Sequence, residues 1–355
     1  MNGILDLFAL DGRAVSCERY GNGHINETYL VRTDRQHDYI LQKVNDHVFP
    51  DTAALMENII AVTEYLRQSE KDPRRVLTLA DTKDGKKYLS DSRGCFRVYE
   101  FVRDGVCLNR AESADDLRQS AVAFGGFLNG LSAFPTKMLH EIIPQFHDTV
   151  ERFRQLKRAI AADPIGRAKD VGREIDFYLS REDQADALTG PLSRGELPLR
   201  VTHNDTKLNN VILDAKTHAP LCVIDLDTVM PGLAATDFGD AVRFGASTAR
   251  DDERELDHVR LSLPMYEACA QGFLSVCGKR LWPLEKETLP LGAKLMALEC
   301  GSRFLTDYLN GDRYFRISRP MQNLDRTHTQ MKLLTEMEKH WDEMRSIAEK
   351  AAAQS

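Results

Sequence analysis

The residues of this sequence best suited to chemistry stand close together between 201 and 225. Val201-Thr202 leads into His203-Asn204-Asp205, and Asn210 follows Asp205 by five positions. Asp225 closes the run Val223-Ile224-Asp225, fifteen residues after Asn210. A carboxylate in a His-x-Asp turn can take the proton of an attacking hydroxyl. An Asn and a second Asp offer hard oxygen donors suited to Mg²⁺, which keeps several waters and binds one or two carboxylates together with phosphate oxygens. This is the layout of a phosphoryl-transfer loop, with Asp205 as base and Asn210 and Asp225 as metal ligands. The alternative is a surface loop with a few hydrogen-bonding carboxylates, and the full constellation favours the first.

Apolar runs on both sides are spaced to hold these groups. Leu197 to Val201 predicts a short strand that delivers His203. Asn210 to Leu213 and Pro220 to Ile224 predict two more strands, joined through the polar stretch 214–219 as a hairpin. A hairpin brings its outer ends together, which would set Asn210 and Asp225 at one edge beside Asp205. Asp227, two residues on from Asp225, is a second ligand or a hydrogen-bonding support. Lys207 is either a cation for the moving phosphoryl group or an exposed lysine. His203 is expected to pack under the loop rather than react. Asp237 and Asp240 are placed to brace the loop or to cap a following helix.

The first hundred residues predict a small β-rich lobe, taken as 1–103 and ending in a hinge. Gly21 and Gly23 give a turn-rich loop before the strand Glu27 to Arg32, either a plain hairpin turn or a cover for phosphates. Tyr39 to Val44 is the next strand. Strand alternation turns Gln42 and Lys43 to opposite faces, so one of them alone can approach a phosphate, and Lys43 is the cation. A solvated lysine is the alternative. Thr52 to Gln68 has helical spacing with Asp51 or Thr52 as cap, and its Glu57 either pairs with Lys43 or stays in solvent. Val76 to Ala80 and Cys95 to Val102 predict two further strands around the Asp84-Gly85 turn.

From about residue 113 the pattern turns helical, giving a larger lobe over 104–355. Helices are predicted over 115–131, 146–160, 171–188, 256–276, 285–308 and 324–347. At 355 residues the chain exceeds a single ordinary core, in keeping with two lobes. Its 47 basic and 54 acidic residues give a net charge of −7 without long runs of either sign, which argues against a nucleic-acid surface. The seven cysteines are scattered with no C-x-x-C pair, so packed thiols are expected rather than disulfides or zinc. Neither a signal-peptide pattern nor a membrane-length apolar run is evident, and the expectation is a cytoplasmic protein.

Several longer phrases carry a resemblance. They are Gly23-His24-Ile25-Asn26-Glu27-Thr28-Tyr29, His203 to Asn210, Val223 to Gly232, Asp237-Phe238-Gly239-Asp240, Leu298 to Leu309 and Asn323-Leu324-Asp325-Arg326. Together they resemble the aminoglycoside phosphotransferase/choline kinase superfamily and, within it, the N-acetylhexosamine 1-kinases. The resemblance implies an α+β, bilobal, protein-kinase-like fold with a small β-rich N-lobe and a mainly helical C-lobe. It implies ATP-dependent, Mg²⁺-assisted phosphorylation of the anomeric hydroxyl of N-acetylglucosamine or N-acetylgalactosamine. The runner-up is a kinase of another small alcohol such as choline, homoserine or an aminoglycoside; a nucleotide-binding scaffold would have no need of Asp205, Asn210 and Asp225 together. By the same resemblance, Lys43 and the hinge residues Glu100, Phe101 and Val102 would bind the nucleotide. Asp205 would orient the sugar and accept its proton, and His24, Phe244 and Arg303 would bind the sugar. For Phe244 the alternative is core packing, and for Arg303 an ion pair with Glu299. Arg313, Arg316 and Arg319 add to a basic late region that favours a neutral sugar over a cationic acceptor. The partners expected are ATP and a small sugar, with no nucleic acid and no membrane, and a monomer as the working form.

Overall fold

The structure is a computed structural model that describes residues 2–21, 23 and 25–355. His24 therefore lies outside the described residues. In chain order the regular elements of the first part are α1 (Asn2–Leu5), β1 (Ala14–Arg19), β2 (Glu27–Thr33), β3 (Tyr39–Lys43), α2 (Thr52–Arg67), β4 (Leu89–Asp91), β5 (Gly94–Glu100) and β6 (Gly105–Val106). Then come α3 (Ala114–Gly130), α4 (Thr149–Ala162), α5 (Gly172–Leu179), α6 (Thr189–Ser193), β7 (Arg200–Thr202), β8 (Val211–Asp214), β9 (Pro220–Val223) and β10 (Met230–Gly232). The helices α7 (Ala234–Gly245), α8 (Leu263–Cys277), α9 (Pro283–Leu309), α10 (Gln322–Lys339) and α11 (Trp341–Ala353) complete the chain.

The chain divides into two compact units. The first takes 1–106, 133–144 and 212–230, and the second takes 107–132, 145–211 and 231–355. The first unit is built on a five-stranded sheet in the order β1-β2-β3-β5-β4, with antiparallel neighbours throughout. Val31, Tyr39, Leu41, Phe96 and Val98 pack with Ile4, Leu5 and Phe8 into one core. Helix α2 starts as the spacing predicts, with Asp51 accepting the Ala54 amide at 3.0 Å. Its buried Asn58 donates to the carbonyls of His140 and Val229 and accepts the His140 amide. Those bonds tie both returning segments to the sheet unit.

The predicted strand Val76 to Ala80 does not form as a strand. It follows the short 3₁₀ turn Pro73–Arg75 and meets β5 through a single bridge, Leu79 to Tyr99, while β4 takes the edge position instead. The β8–β9 hairpin forms within the small sheet β6-β8-β9. Asp214 caps its turn by accepting the Lys216 and Thr217 amides.

The second unit is helical around a core that includes Leu117, Phe153, Leu156, Phe238, Tyr266, Phe273, Leu298 and Leu334. Helices α7 and α9 cross almost in backbone contact. A Cβ on Gly239 would stand 2.4 Å from the Gly292 carbonyl oxygen, so no larger residue fits that crossing. Three predicted helices are shorter or divided. The 256–276 stretch begins its helix at Leu263, because Pro264 fits only the first turn and Ser262 caps it. The 171–188 stretch keeps a helix only to Leu179, where the Ser180 hydroxyl and the Arg181 guanidinium both bond to the Phe177 carbonyl. The final stretch breaks at His340 into α10 and α11.

Candidate active site

In the second unit, β7 ends in a loop whose shape is dictated by buried carboxylates. Gly232 crosses β7 so closely that a Cβ there would meet the Thr202 hydroxyl at 2.2 Å. His203 is fully buried, edge-on to Phe124 and Phe127 at 5.2 and 6.0 Å. Its Nδ1 accepts the Asp205 amide at 3.3 Å, so it packs under the loop as its position predicts. Asn204 holds the left-handed backbone (φ 63°), a conformation that Asn tolerates better than most residues. Asp237 of α7 accepts the amides of His203 and Asn204 at 2.8 and 2.7 Å. Asp240, one turn on, accepts the Thr206 amide at 3.0 Å and pairs with Arg243 at 2.8 Å. The two aspartates thus brace the loop. Burial pushes Asp237 up to about 6, against the pull of His203 and the two amides.

Asp205 projects from this clamped turn with its side chain 27% exposed. One carboxylate oxygen lies 2.7 Å from Lys207 Nζ, and the other accepts from Asn210 Nδ2 at 3.0 Å. The Asn210 amide also donates to the Asp205 carbonyl at 2.9 Å. Burial raises the Asp205 carboxyl, but the Lys207 ammonium, with help from His203 and Asn210, holds it below the ordinary carboxylate range. Lys207 is therefore engaged with the loop aspartate rather than lying free in solvent. Both Asn210 donors are spent on Asp205, so its Oδ1 is the hard oxygen this side chain could offer to Mg²⁺.

In the first unit, Asp225 and Asp227 have different surroundings. Asp225 is exposed and left-handed (φ 60°) at the start of a 3₁₀ turn, an oxygen donor presented by backbone strain. Asp227 is buried. It pairs with Arg97 at 2.6 Å and accepts from Asn26 Nδ2 at 2.5 Å. Arg97 is itself only 1% exposed, with its Nε donating to Gln42 Oε1 at 2.9 Å. Burial would lower its pKa, but Asp227 more than compensates, so Arg97 stays charged. Asp227 is thus a support, the second of the two roles left open for it. Among the described residues, no group of three or more His, Cys, Asp or Glu side chains could hold a metal.

Arg97 escaped the pattern analysis although it had a signal. An arginine inside the apolar run Cys95-Phe96-Arg97-Val98-Tyr99 is costly to bury without a carboxylate partner. The β3–β5 register pairs Gln42 with Arg97 and Lys43 with Phe96. Gln42 therefore faces Arg97, while Lys43 points to the other face, 5.8 Å from the Phe96 ring centroid. Of the two alternatives for Glu57, the structure shows the solvent-facing one. Glu57, 63% exposed, bonds to His140 at 2.7 Å because its helix face turns to solvent. Of the residues predicted to form a hinge, the Glu100 and Phe101 amides are spent on the Thr78 and Asp38 carbonyls. Phe101 meets the Tyr20 ring edge-on at 6.1 Å. Glu100, Phe101 and Val102 share the wall of a cavity of about 510 Å³.

The sugar-site candidates fall in the second unit, apart from His24. Phe244 is half-buried in the last turn of α7. The Arg303 guanidinium lies among the rings of Phe146, Tyr314 and Phe315 at 5.1, 5.8 and 5.5 Å, and 4.0 Å from Glu299. Arg319 is committed elsewhere, paired with Asp325 and Asp252.

The loop geometry agrees with what the sequence is similar to. The profile of the phosphotransferase enzyme family matches residues 16–271, well over half of the chain. The chain belongs to that family. Three solved structures share the phosphotransferase's fold. A microcompartment-associated aminopropanol kinase is 17% identical over 97% of each chain, with a TM-score of 0.59. An aminoglycoside phosphotransferase from Alicyclobacillus acidocaldarius is 13% identical over 99% of this chain and 96% of its own, with a TM-score of 0.62. Amicoumacin kinase hAmiN, solved with AMP-PNP, Ca²⁺ and Ami, is 12% identical over 94% and 91%, with a TM-score of 0.62. At these identities the likeness is one of fold. The fold is the kinase-like one of this family, with an antiparallel sheet in the N-terminal region and helices in the C-terminal region. Among the described residues, no helix of this phosphotransferase is long and apolar enough to cross a membrane.

Proposed function

We propose that this phosphotransferase is a cytoplasmic, monomeric kinase that uses ATP to phosphorylate the anomeric hydroxyl of an N-acetylhexosamine, giving ADP and the sugar 1-phosphate. The observation that carries the reaction is the Asp205 carboxylate, ionised and held between Lys207 and Asn210 on a turn clamped by Asp237 and Asp240. In this reading the sugar hydroxyl oxygen attacks the γ-phosphorus as the bond to the β,γ-bridging oxygen breaks. Its proton passes to Asp205, and ADP leaves. A base held below the ordinary carboxylate range suffices, because the transition state is loose and an anomeric hydroxyl is more acidic than other sugar hydroxyls. Most of the rate enhancement then comes from positioning.

Asn210 and Asp225 are the proposed donors for Mg²⁺, which when bound supplies charge neutralisation on the phosphate oxygens. With the Glu100 and Phe101 amides already bonded, adenine would meet the Val102 amide and the hinge carbonyls. Lys43, the predicted phosphate cation, points to the sheet face opposite Gln42 and Arg97, so the cation on the Asp227 face is Arg97, which acts through Asp227.

The sugar assignment rests on the resemblance over 298–309 and on Arg303 held among aromatic rings, with Phe244 as a second apolar surface and His24 as a donor. Glu299, the carboxylate nearest Arg303, is already paired with His147, which leaves that region poor in free negative charge for a cationic acceptor. The runner-up, an amino-alcohol kinase, has the aminopropanol kinase among its fold relatives. A coupled ADP-release screen over free sugars, choline, homoserine and aminoglycosides, with the product located by NMR, separates the two. Phosphate on the anomeric carbon of N-acetylglucosamine or N-acetylgalactosamine is expected. Phosphate on any other carbon, or turnover confined to amino alcohols, contradicts the sugar assignment.

A further inference from the structure

We infer that His147 is a positioning residue for Asp205, a doubly protonated imidazole strung between the Glu299 carboxylate and the Asn204 carbonyl. The inference rests on Asp205 being the base. His147 Nδ1 lies 2.9 Å from Glu299 Oε1, and Nε2 lies 3.1 Å from the Asn204 carbonyl oxygen. A carbonyl oxygen and an ionised carboxylate both only accept, so each ring nitrogen must carry a hydrogen. The other Glu299 oxygen accepts from the Thr149 hydroxyl at 3.0 Å, which fixes the carboxylate in turn.

The peptide between Asn204 and Asp205 is thereby held at both polar atoms. Its carbonyl takes the His147 hydrogen, and its N–H points to His203 Nδ1. This is the plane from which Asp205 projects, immediately after the left-handed Asn204. The charged groups around His147 are Glu299 and Arg303 on α9, Arg152 on α4 and Asp237 on α7. Burial pulls the imidazole down, but Glu299 outweighs it and leaves the group above its ordinary 6.5, while His147 in turn holds Glu299 below the usual carboxylate range against burial. The imidazolium bond is therefore complete below pH 6.5 and is lost as the pH rises through the raised value. On deprotonation the hydrogen facing the carboxylate is retained, and the Nε2 lone pair turns against the Asn204 oxygen.

The test is the pH profile of kcat for the wild type, Glu299→Gln and His147→Gln, with Asp205→Asn alongside. The wild type should show an alkaline limb above pH 6.5 that Glu299→Gln moves to lower pH. His147→Gln should lose that limb, with kcat down about tenfold, the value of one hydrogen bond to a charged group, and KM for ATP unchanged. A limb that survives in His147→Gln at its wild-type position overturns the inference. An imidazole ¹⁵N titration of the wild type reads the same contact without any variant: both nitrogens protonated at pH 6 supports it, and a neutral ring at pH 6 overturns it. Retained turnover in Asp205→Asn would instead overturn the base assignment, and the titration still reads the His147 contact separately.

Discussion

The loop at 203–210 and the turn at 225–227 are both built on buried aspartates, but those aspartates do opposite work. In the loop, Asp237 and Asp240 grip backbone amides, and the Asp205 side chain is left partly exposed. In the turn, Asp227 is itself gripped, by Arg97 from the middle of the sheet and by Asn26. Asp237 clamps the backbone through its N–H groups alone, while Asp240 also takes Arg243 as a partner. Burying a carboxylate to shape a turn needs a buried cation, and the cost of losing either member is correspondingly large.

That contrast ranks the variants. Arg97→Met should be the most damaging, at about 3–5 kcal/mol of stability by urea unfolding, because it strands a buried charge. Adding Asp227→Leu should restore much of the loss, and a double variant as weak as Arg97→Met alone would show that the pair does not hold the turn. Asp237→Ala comes next, at about 1–3 kcal/mol for its unsatisfied amides, with faster hydrogen exchange at His203 and Asn204. Its pH signature has a definite sign. Because burial lifts Asp237 to about 6, the folded chain binds a proton there that the unfolded chain releases down to about 3.8. Its contribution to stability therefore grows as the pH falls from 6 towards 4, and Asp237→Asn should flatten that part of the curve.

Lys207→Ala should let Asp205 rise towards the ordinary carboxylate value, moving the acid limb of kcat upward and costing roughly tenfold in rate. An unmoved limb would break the link between Lys207 and the base. The smallest effect belongs to Glu57→Gln, under about 0.5 kcal/mol, since its exposed pair with His140 is a surface contact. A drop in nucleotide affinity matching that of Lys43→Ala would show that the two residues act together after all.

What the sequence made legible follows the same division. The His203–Asn210 spacing, the strands at 27–33, 39–43 and 94–100 and the Asp51 cap depend on neighbours in the chain, and local patterning finds them. The Arg97–Asp227 pair joins residues 130 positions apart, and His147–Glu299 joins residues 152 apart. No spacing rule links such partners; an arginine set in an apolar strand was the one available sign. Val76 to Ala80 misled for the opposite reason. Its residues favour a strand, but its pairing with β5 is limited to the single bridge Leu79–Tyr99, while β4 pairs with Gly94 to Phe96. For Glu57 the spacing leaves two alternatives open, and the face of α2 that meets solvent decides between them.

The central claim is that Asp205 is the base of phosphoryl transfer. Its most direct test is single-turnover ADP formation by Asp205→Asn, with ATP-Mg²⁺ binding followed by calorimetry. The account predicts a fall in rate of about 10²–10⁴-fold with nucleotide affinity unchanged, whereas turnover at the wild-type rate would contradict it.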